Sequence, residues 1–225
     1  SNDNSSVATD GDVVMLHVVS TEGLRESPAG VNVTLDGVDV SGSVMSVGEW
    51  EWEAVLTVTG GNTTEGDVSI EVTYVDYAGN AGVDTTWTAD GSKVIVDTTA
   101  PSVDVSIWSS NDNSSVATDG DVVMLHVVST EGLRESPAGV NVTLDGVDVS
   151  GSVMSVGEWE WEAVLTVTGG NTTEGDVSIE VTYVDYAGNA GVDTTWTADG
   201  SKVIVDTTAP SVDVSIWSSN DNSSV

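Results

Sequence analysis

The strongest constraint on this chain is an internal repeat with a period of 109 residues. Residues 110–218 copy residues 1–109 without a mismatch, and residues 219–225 copy residues 1–7. One unit has the length of a single domain, so we expect two domains with the same fold. Two identical copies do not divide two chemical tasks between them. The repeat therefore indicates that the number of units, and so the length, is what matters.

The limits of one unit follow from the prolines that end each Asp-Thr-Thr-Ala-Pro run. Proline cannot donate a ladder hydrogen bond and holds the preceding residue extended, so Ala100-Pro101 and Ala209-Pro210 are the expected linkers. This predicts a repeat at 1–100 that lacks its own first strand and a complete repeat at 101–209. Residues 210–225 are then the first strand of a following repeat.

On this frame, residues 1–100 need a strand from elsewhere. A preceding repeat would supply it if the sequence is a window from a longer array. In donor-strand assembly, residues 210–218 of another chain would supply it instead. Both alternatives are compatible with the sequence.

Apolar and polar residues alternate over much of the unit, which is the period of a strand with one buried and one solvated face. Val31, Val33 and Leu35, for example, alternate with Asn32 and Thr34. Turns rich in Gly and Asn separate the alternating runs. The predicted strands cover residues 102–108, 12–20, 31–36, 38–47, 49–59, 67–76, 83–89 and 92–97. Short strands at this spacing predict an all-β fold of antiparallel sandwiches, two in an elongated array.

The composition excludes several classes of partner. The chain has 37 Asp and Glu against four Lys and Arg, a formal net charge of −33, so it should repel nucleic acid and anionic membranes and attract cations. Cysteine is absent, which excludes disulfides, thiol catalysis and Cys-ligated zinc. Apolar runs are only a few residues long, so no membrane-spanning segment is predicted. No signal peptide is visible, and we expect the sequence to begin inside a larger protein.

Five short motifs follow one another through the unit. They are Asp-Gly-Asp-Val-Val at 10–14, Ser-Thr-Glu-Gly-Leu at 20–24, Gly-Glu-Trp-Glu-Trp at 48–52, Asp-Tyr-Ala-Gly-Asn at 76–80 and Val-Ile-Val-Asp-Thr-Thr-Ala-Pro at 94–101. With these motifs the unit resembles the Ig-like tandem repeats of large bacterial and archaeal surface proteins and adhesins. The resemblance implies tandem Ig-like sandwiches, display outside the cell, a spacer role, and in many cases calcium at the domain junctions.

Calcium needs six to eight oxygen ligands, mainly carboxylates and carbonyls. We expect one end of each sandwich to gather such groups. The candidate ligands are Asp10, Asp12, Asp76, Asn80, Asp97 and Asp104, with the copies Asp119, Asp121, Asp185, Asn189, Asp206 and Asp213. Asp97 and Asp104 flank the linker, so an ion there would stiffen the joint between repeats. The alternative is an acidic surface in contact with solvent.

Sequons and tryptophans are further candidate sites. The N-glycosylation pattern occurs at Asn4, Asn32, Asn62, Asn113, Asn141 and Asn171. Trp50 and Trp52 are predicted to share the inward face and pack in the core, with a sugar-stacking platform as the alternative. Trp108 and its copy Trp217 lie out of register with the apolar face, so they should point outward and form a contact surface.

We expect no enzymatic activity. Glu51 and Glu53 form a carboxylate pair without any sign of a cleft, and His17 is the only histidine of its unit. An isopeptide bond from Lys93 to Asn32 or Asn80 is an open alternative. The expected function is a structural extracellular spacer or filament shaft, whose partners are neighbouring repeats of the same protein. The alternatives are a self-assembling fibre or surface-layer subunit, a homopolymer joined by strand donation, and a carbohydrate- or surface-binding adhesin module.

Overall fold

The computed structural model describes residues 6–26, 30–135 and 139–218. The strands of the first repeat are β1 (Val7–Ala8), β2 (Val13–Val19), β3 (Val31–Leu35), β4 (Val38–Asp39), β5 (Met45–Gly48), β6 (Glu51–Thr57), β7 (Gly66–Asp67), β8 (Ile70–Tyr74) and β9 (Ile95–Val96). Those of the second repeat are β10 (Val103–Ser109), β11 (Val116–Ala117), β12 (Val122–Ser129), β13 (Val140–Leu144), β14 (Val147–Asp148), β15 (Met154–Gly157), β16 (Glu160–Thr166), β17 (Gly175–Asp176), β18 (Ile179–Tyr183) and β19 (Ile204–Val205). A short 3-10 turn interrupts each repeat, at Ser41–Ser43 and Ser150–Ser152.

The prediction of an all-β fold built from antiparallel sandwiches is confirmed. In the second repeat, the sheet β10-β12-β16-β15 faces the sheet β14-β13-β18, and a small third sheet has the order β11-β19-β17. Leu125 and Trp161 on the first sheet share one buried core with Val142, Leu144 and Val181 on the second. Their alternation with solvated residues follows from the period of two. No helix among the described residues is long and apolar enough to cross a membrane.

The predicted strand at residues 38–47 is wrong, because the chain changes sheets there. The strand β4 pairs with β3, whereas β5 pairs with β6 in the opposite sheet. Side chains stabilise the crossing: Asp39 Oδ1 accepts a hydrogen bond from the Ser41 amide at 2.9 Å. Ser43 Oγ accepts one from the Val55 amide at 3.0 Å. Local hydrogen bonding of this kind competes with an extended ladder.

Two further strand predictions need correction, and one strand was not predicted. The segment 83–89 is not a strand, since only Thr85 forms an isolated bridge, with Val72. The predicted strand 92–97 shortens to β9 at Ile95–Val96. The sequence pattern did not indicate β1, which runs parallel to β9.

Trp50 does not point into the core. It is 45% exposed, whereas Trp52 is 6% exposed and buried. Trp50 has a φ of 66° in the tight connection between β5 and β6, and its carbonyl accepts a hydrogen bond from the Ser20 amide. The alternation therefore starts at Glu51, and the predicted pairing of the two indole rings on one face is wrong.

The two repeats differ in one strand although their sequences are identical. In the second repeat, β10 pairs with β12 over seven positions, from Val103 opposite Ser129 to Ser109 opposite Val123. In the first repeat, β2 pairs with β6 on one side, and no described residue pairs with its other edge. Residues 212–218, which copy β10, form no strand and are exposed.

Part of the first core is less buried than the corresponding part of the second core, where β10 covers it. The apolar core side chains that are buried in the second repeat but only partly buried in the first are Leu125, Val127, Ile179, Tyr183 and Val203, whose copies are Leu16, Val18, Ile70, Tyr74 and Val94. Since the sequences match, this difference comes from the context of each repeat. The domain boundaries inferred from the prolines stay a prediction.

Candidate metal centre between the repeats

The linker between the repeats is held by hydrogen bonds. The Ser102 amide donates to Thr130 Oγ1 at 3.1 Å, and the Thr130 amide donates to the Ser102 carbonyl at 3.0 Å. Pro101 is buried beside this contact, whereas Pro210 is exposed. The chain that leaves the first repeat is thereby fixed against the turn that follows β12.

The loop at residues 185–189 supplies a buried carboxylate at the same joint. Asp185 is 1% exposed, and its Oδ1 accepts hydrogen bonds from the amides of Gly188 at 2.6 Å and Asn189 at 2.8 Å. Gly188 has a φ of 107°, which favours glycine. An isolated bridge from Leu133 to Asp185 holds this loop beside the turn after β12.

Three carboxylates converge at the joint. One oxygen each of Asp97, Glu131 and Asp185 lies within 4.8 Å of the others. Asp97 follows β9 in the first repeat, and the other two belong to the second. Within the described ranges, no cationic side chain forms an ion pair with any of the three. The cluster therefore concentrates negative charge between the repeats.

The side-chain amide of Asn189 connects the two repeats through hydrogen bonds of both its nitrogen and its oxygen. Its Nδ2 donates to the Asp97 carbonyl at 3.0 Å, to Asp97 Oδ1 at 3.3 Å and to Asp185 Oδ2 at 2.8 Å. Its Oδ1 accepts a hydrogen bond from Thr9 Oγ1 at 2.5 Å. Thr9 and Asp97 both lie in the first repeat, so this one side chain joins its end to the second.

The charge density changes the protonation of the cluster. Burial, and then the charges of Asp185 and Glu65, raise the pKa of Asp97 above its usual 3.8. Burial, followed by the charges of Asp97, Asp185 and Glu65, also raises the pKa of Glu131 above 4.5. Both shifts mean that the ionised forms are disfavoured at the joint unless a positive charge is supplied.

The same groups occur at the open ends of the chain, where they are more exposed. Asp97 is more buried than its copy Asp206, Glu131 than Glu22, Asp185 than Asp76, Asn189 than Asn80, and Thr9 than Thr118. Each repeat thus carries two parts of the cluster: Thr9 and Asp97, or their copies, at one end, and Glu131, Asp185 and Asn189, or their copies, at the other. The two parts meet only where one repeat follows another.

The donor set fits a hard divalent cation. The three carboxylates that converge offer oxygen, which is the ligand type preferred by Ca²⁺ and Mg²⁺. A cation among them would offset the repulsion that raises the pKa of Asp97 and Glu131. Cation and protons would compete for the same oxygens, so binding would release protons.

The structure unites some of the predicted ligands and separates others. Asp97 meets Asp185 and Asn189 of the following repeat, and not Asp76 or Asn80 of its own repeat. Asp76 and Asn80 form the same hydrogen-bonded loop at an exposed end of the first repeat. Asp206 and Asp213 are also exposed, at the far end of the chain.

The remaining predicted ligands stabilise turns or face solvent. Asp10 accepts a hydrogen bond from the Gly60 amide at 3.0 Å, and its copy Asp119 does the same with Gly169. The carboxylates of Asp12 and Asp121 accept hydrogen bonds from the Thr9 and Thr118 amides. Asp104 is exposed on β10 opposite Val128 and does not belong to the cluster.

Glu131 is not among the predicted ligands, although it lies in one of the five motifs of the unit. It is the Glu of the second Ser-Thr-Glu-Gly-Leu run. That run ends a strand at the edge facing the linker, and the carboxylate at its turn was the available signal. Its partner Asp97 belongs to another repeat, so the pattern of one unit does not bring them together.

The sequons differ in how their side chains are used. Asn62 and Asn171 close turns, since each Nδ2 donates to a nearby carbonyl at 2.9 Å. Asn32 and Asn141 lie in β3 and β13 and contact Thr73 and Thr182. The Asn113 side chain accepts hydrogen bonds from Ser115. Asn4 lies outside the described residues, and glycosylation stays a prediction at all six positions.

Trp108 lies on the outer face of β10. Its ring meets His126 edge to face, with centroids 6.4 Å apart, and His126 also lies 3.3 Å from Glu160. Its copy Trp217 is exposed in residues 212–218. Lys93 pairs with Asp67 at 3.1 Å rather than with either asparagine proposed for an isopeptide bond.

No family model matches the sequence, and the curated proteins include no significant match. Several solved structures align with this chain. Fibronectin(III)-like modules of Clostridium thermocellum CbhA are 14% identical, with a TM-score of 0.33, over 92% of this chain and 94% of theirs. A Ca²⁺-stabilized adhesin with which an Antarctic bacterium binds ice is 24% identical, with a TM-score of 0.46, over 93% of this chain and 48% of that one. The D00-D0 domain of Intimin is 12% identical, with a TM-score of 0.32, over 89% of this chain and 95% of its own.

Proposed function

We propose that this chain is part of an extracellular spacer in which identical Ig-like repeats are joined into a rod by a divalent cation at each junction, calcium being the best candidate. The observation that carries the proposal is the cluster of Asp97, Glu131 and Asp185 between the repeats. It draws its ligands from both repeats, so a bound cation would fix the angle between them. Identical units support a function in which length matters.

The acidic joint is costly when no cation is present. The buried carboxylate of Asp185 and the partly buried carboxylates of Asp97 and Glu131 repel one another, and Asn189 bridges Asp97 and Asp185. Repulsion of this kind favours separation of the repeats. A cation would reverse that balance, and the joint would change from flexible to stiff.

Small-angle X-ray scattering of the 225-residue chain tests the proposal. The chain is measured with calcium and then with a chelator, at matched ionic strength so that screening stays constant. The protein is diluted until the forward scattering gives the mass of one chain, which excludes association. We expect the maximum dimension to shorten and the flexibility to rise on chelation. If the dimension and the flexibility stay the same, calcium is not the stiffener.

Identical repeats provide a matched control. Asp97→Asn removes a carboxylate at the joint, whereas Asp206→Asn makes the same change at an open end. Asp185→Asn and Asp76→Asn form a second pair of this kind. Variants at the joint should lose the calcium response, and variants at the open ends should keep it. An equal loss in both members of a pair would contradict the assignment of the site.

The carbohydrate-binding alternative has a single supporting feature. Trp50 and Tyr77 are exposed near Gly23, on the rim of a hollow of about 220 Å³. Trp52 is buried, so a platform made of both indole rings is not formed. Sugar binding therefore stays a second candidate, which glycan-array binding of the chain and of Trp50→Ala would test.

A further inference from the structure

The second repeat has a groove between residues 195–202 and the strands β17 and β18. Its volume of about 810 Å³ lies within the roughly 300–1,000 Å³ that ligand pockets occupy. The side chains that line it include buried apolar, charged and aromatic residues, namely Ile107, Ile179, Asp176, Glu180, Trp196 and Lys202. None of them belongs to the carboxylate cluster at the joint. This Trp196 groove is therefore a separate candidate site.

Trp196 is exposed on a backbone that is fixed on both sides. Its side chain is 65% exposed. Just before it, the Val181 amide donates to the Thr194 carbonyl at 2.9 Å, and the Thr194 amide donates to the Val181 carbonyl at 3.0 Å. Just after it, the Ala198 amide donates to the Val105 carbonyl at 2.9 Å. A ring on such a backbone loses little freedom on binding, so this indole is suited to stack on a ligand.

The charges of the groove favour a cationic ligand. Lys202 Nζ lies 3.6 Å from Asp176 Oδ2, so this carboxylate already has a cation beside it. Glu180 forms no ion pair within the described part of the chain. An indole face attracts cations as well. The net charge of −33 draws cationic ligands towards the protein and repels anionic ones.

The hydroxyl groups of the groove make a neutral sugar a poorer fit. Thr197 Oγ1 donates to the Ser201 carbonyl at 2.7 Å. Ser201 Oγ accepts a hydrogen bond from the Ile107 amide at 2.9 Å. Both hydroxyls thus stabilise the loop that carries Trp196, and they are engaged before any ligand arrives. The ring and the carboxylate are the groups that the groove offers to a ligand.

Among cationic groups, the guanidinium of arginine matches this pair best. It is planar, stacks on aromatic rings and pairs with a carboxylate through parallel hydrogen bonds, whereas the ammonium of lysine acts as a point charge. The chain itself has only four Lys and Arg against 37 Asp and Glu. A segment rich in arginine therefore belongs to another protein.

We propose that the Trp196 groove binds an extended, arginine-bearing segment of a partner protein, with a guanidinium stacked on Trp196 and paired with Glu180. The same residues recur in the first repeat as Trp87 and Glu71. A spacer of such repeats would carry its partner along its length. This role goes beyond the proposed function and does not depend on a cation at the joint.

Isothermal titration calorimetry of the full chain tests the proposal. The probe is a short glycine-serine peptide that carries arginines, and matched peptides carry lysine or the neutral analogue citrulline instead. The titrations contain chelator, so that the joint holds no divalent cation, and the ionic strength is low, so that screening is weak. We expect the arginine peptide to bind more tightly than the lysine peptide, and the citrulline peptide not to bind.

Tryptophan variants separate the groove from other exposed rings. Because the two repeats have identical sequences, each variant changes both copies. Trp87→Ala with Trp196→Ala should weaken binding of the arginine peptide about five- to tenfold, as expected for the loss of a cation–π contact. Trp50→Ala with Trp159→Ala removes two other exposed indoles and should leave the affinity unchanged.

Glutamate variants separate the groove from the general attraction of an acidic chain. Glu71→Gln with Glu180→Gln should weaken binding. Glu53→Gln with Glu162→Gln changes the net charge equally, on strands β6 and β16 of the opposite sheet, and should not. Circular dichroism confirms that each variant is folded before it is titrated.

Three outcomes overturn the inference: equal affinity for the arginine and citrulline peptides, unchanged affinity in the chain that lacks Trp87 and Trp196, or equal losses in the two glutamate pairs. Binding of a neutral oligosaccharide that depends on Trp196, without binding of the arginine peptide, also overturns it. Failure here is separate from failure of the cation joint, because the titrations contain chelator and the joint is tested by Asp97→Asn.

Discussion

Replacing Ile107 with Ala should destabilise the protein, whereas the same replacement at its copy Ile216 should not. Ile107 is 4% exposed in the core of the second repeat, and Ile216 is 97% exposed. Ile→Ala deletes about three carbon groups, which cost about 2.4 kcal/mol at roughly 0.8 kcal/mol per buried methylene. The cavity that remains raises the cost at Ile107 to about 3 kcal/mol. At Ile216 the cost should stay below about 0.5 kcal/mol.

Urea unfolding followed by circular dichroism measures this difference. For a domain of this size, with a slope of about 2 kcal/mol per molar urea, 3 kcal/mol lowers a midpoint by about 1.5 M. We expect Ile107→Ala to lower the midpoint of the more stable transition, which we assign to the second repeat because its sheet has the fourth strand. The protein must be dilute enough for light scattering to give the mass of one chain.

The two variants share the substitution and all neighbouring residues in sequence, from 102–109 to 211–218. Propensity and solvation of the unfolded chain are therefore matched. Equal shifts of the midpoint in both variants, or no shift in either, would refute the assignment of residues 103–109 to the core of the second repeat. The same result would remove the basis of the frame that starts at Pro101.

Three other expectations concern the joint, a turn and a close contact. Without divalent cations, rising pH should weaken the joint, and small-angle scattering should show a more flexible chain. The reason is that Asp97 and Glu131 have a raised pKa when the repeats are docked, so the docked state loses its advantage as these groups lose their protons. Calcium should reverse this trend. Asp145→Ala should cost about 1–3 kcal/mol in urea unfolding, since Asp145 has a φ of 49° and accepts hydrogen bonds from Thr173 in the loop after β16, and Asp145→Asn should cost less. Gly191→Ala should lower the melting temperature in calorimetry by an amount equivalent to about 1–3 kcal/mol, because a Cβ there would lie 1.9 Å from a buried tyrosine ring, whereas Gly170→Ala meets no atom within 4 Å and should be nearly neutral.

Period-two alternation predicted the strands whose packing is uniform along their length. The residues of β3 and β6 alternate between buried and solvated because each strand has one face on the core. The alternation misled at 38–47, where Asp39 and Ser41 form local hydrogen bonds that turn the chain. It misled at Trp50 because a left-handed backbone conformation reverses the face of the side chain.

Part of the candidate site could be predicted from the sequence, because local motifs mark it. Asp97 could be placed at the linker because proline marks it, and Asp185 and Asn189 because their motif is a turn. Glu131 and the exclusion of Asp104 depend on how one repeat docks on the next. A contact between repeats produces no regular residue spacing within one repeat, so only the structure could identify it.

The position of β10 also determines how the protein would respond to pulling. This strand begins directly after the linker anchored at Ser102 and runs antiparallel to β12 over seven paired positions. Tension that enters from the preceding repeat pulls β10 along its own length, so that the pairs are loaded in shear and share the force. Unzipping would load them one at a time. In an array, the acidic joint would then set the bending stiffness, while the first strand of each repeat would carry the tensile load.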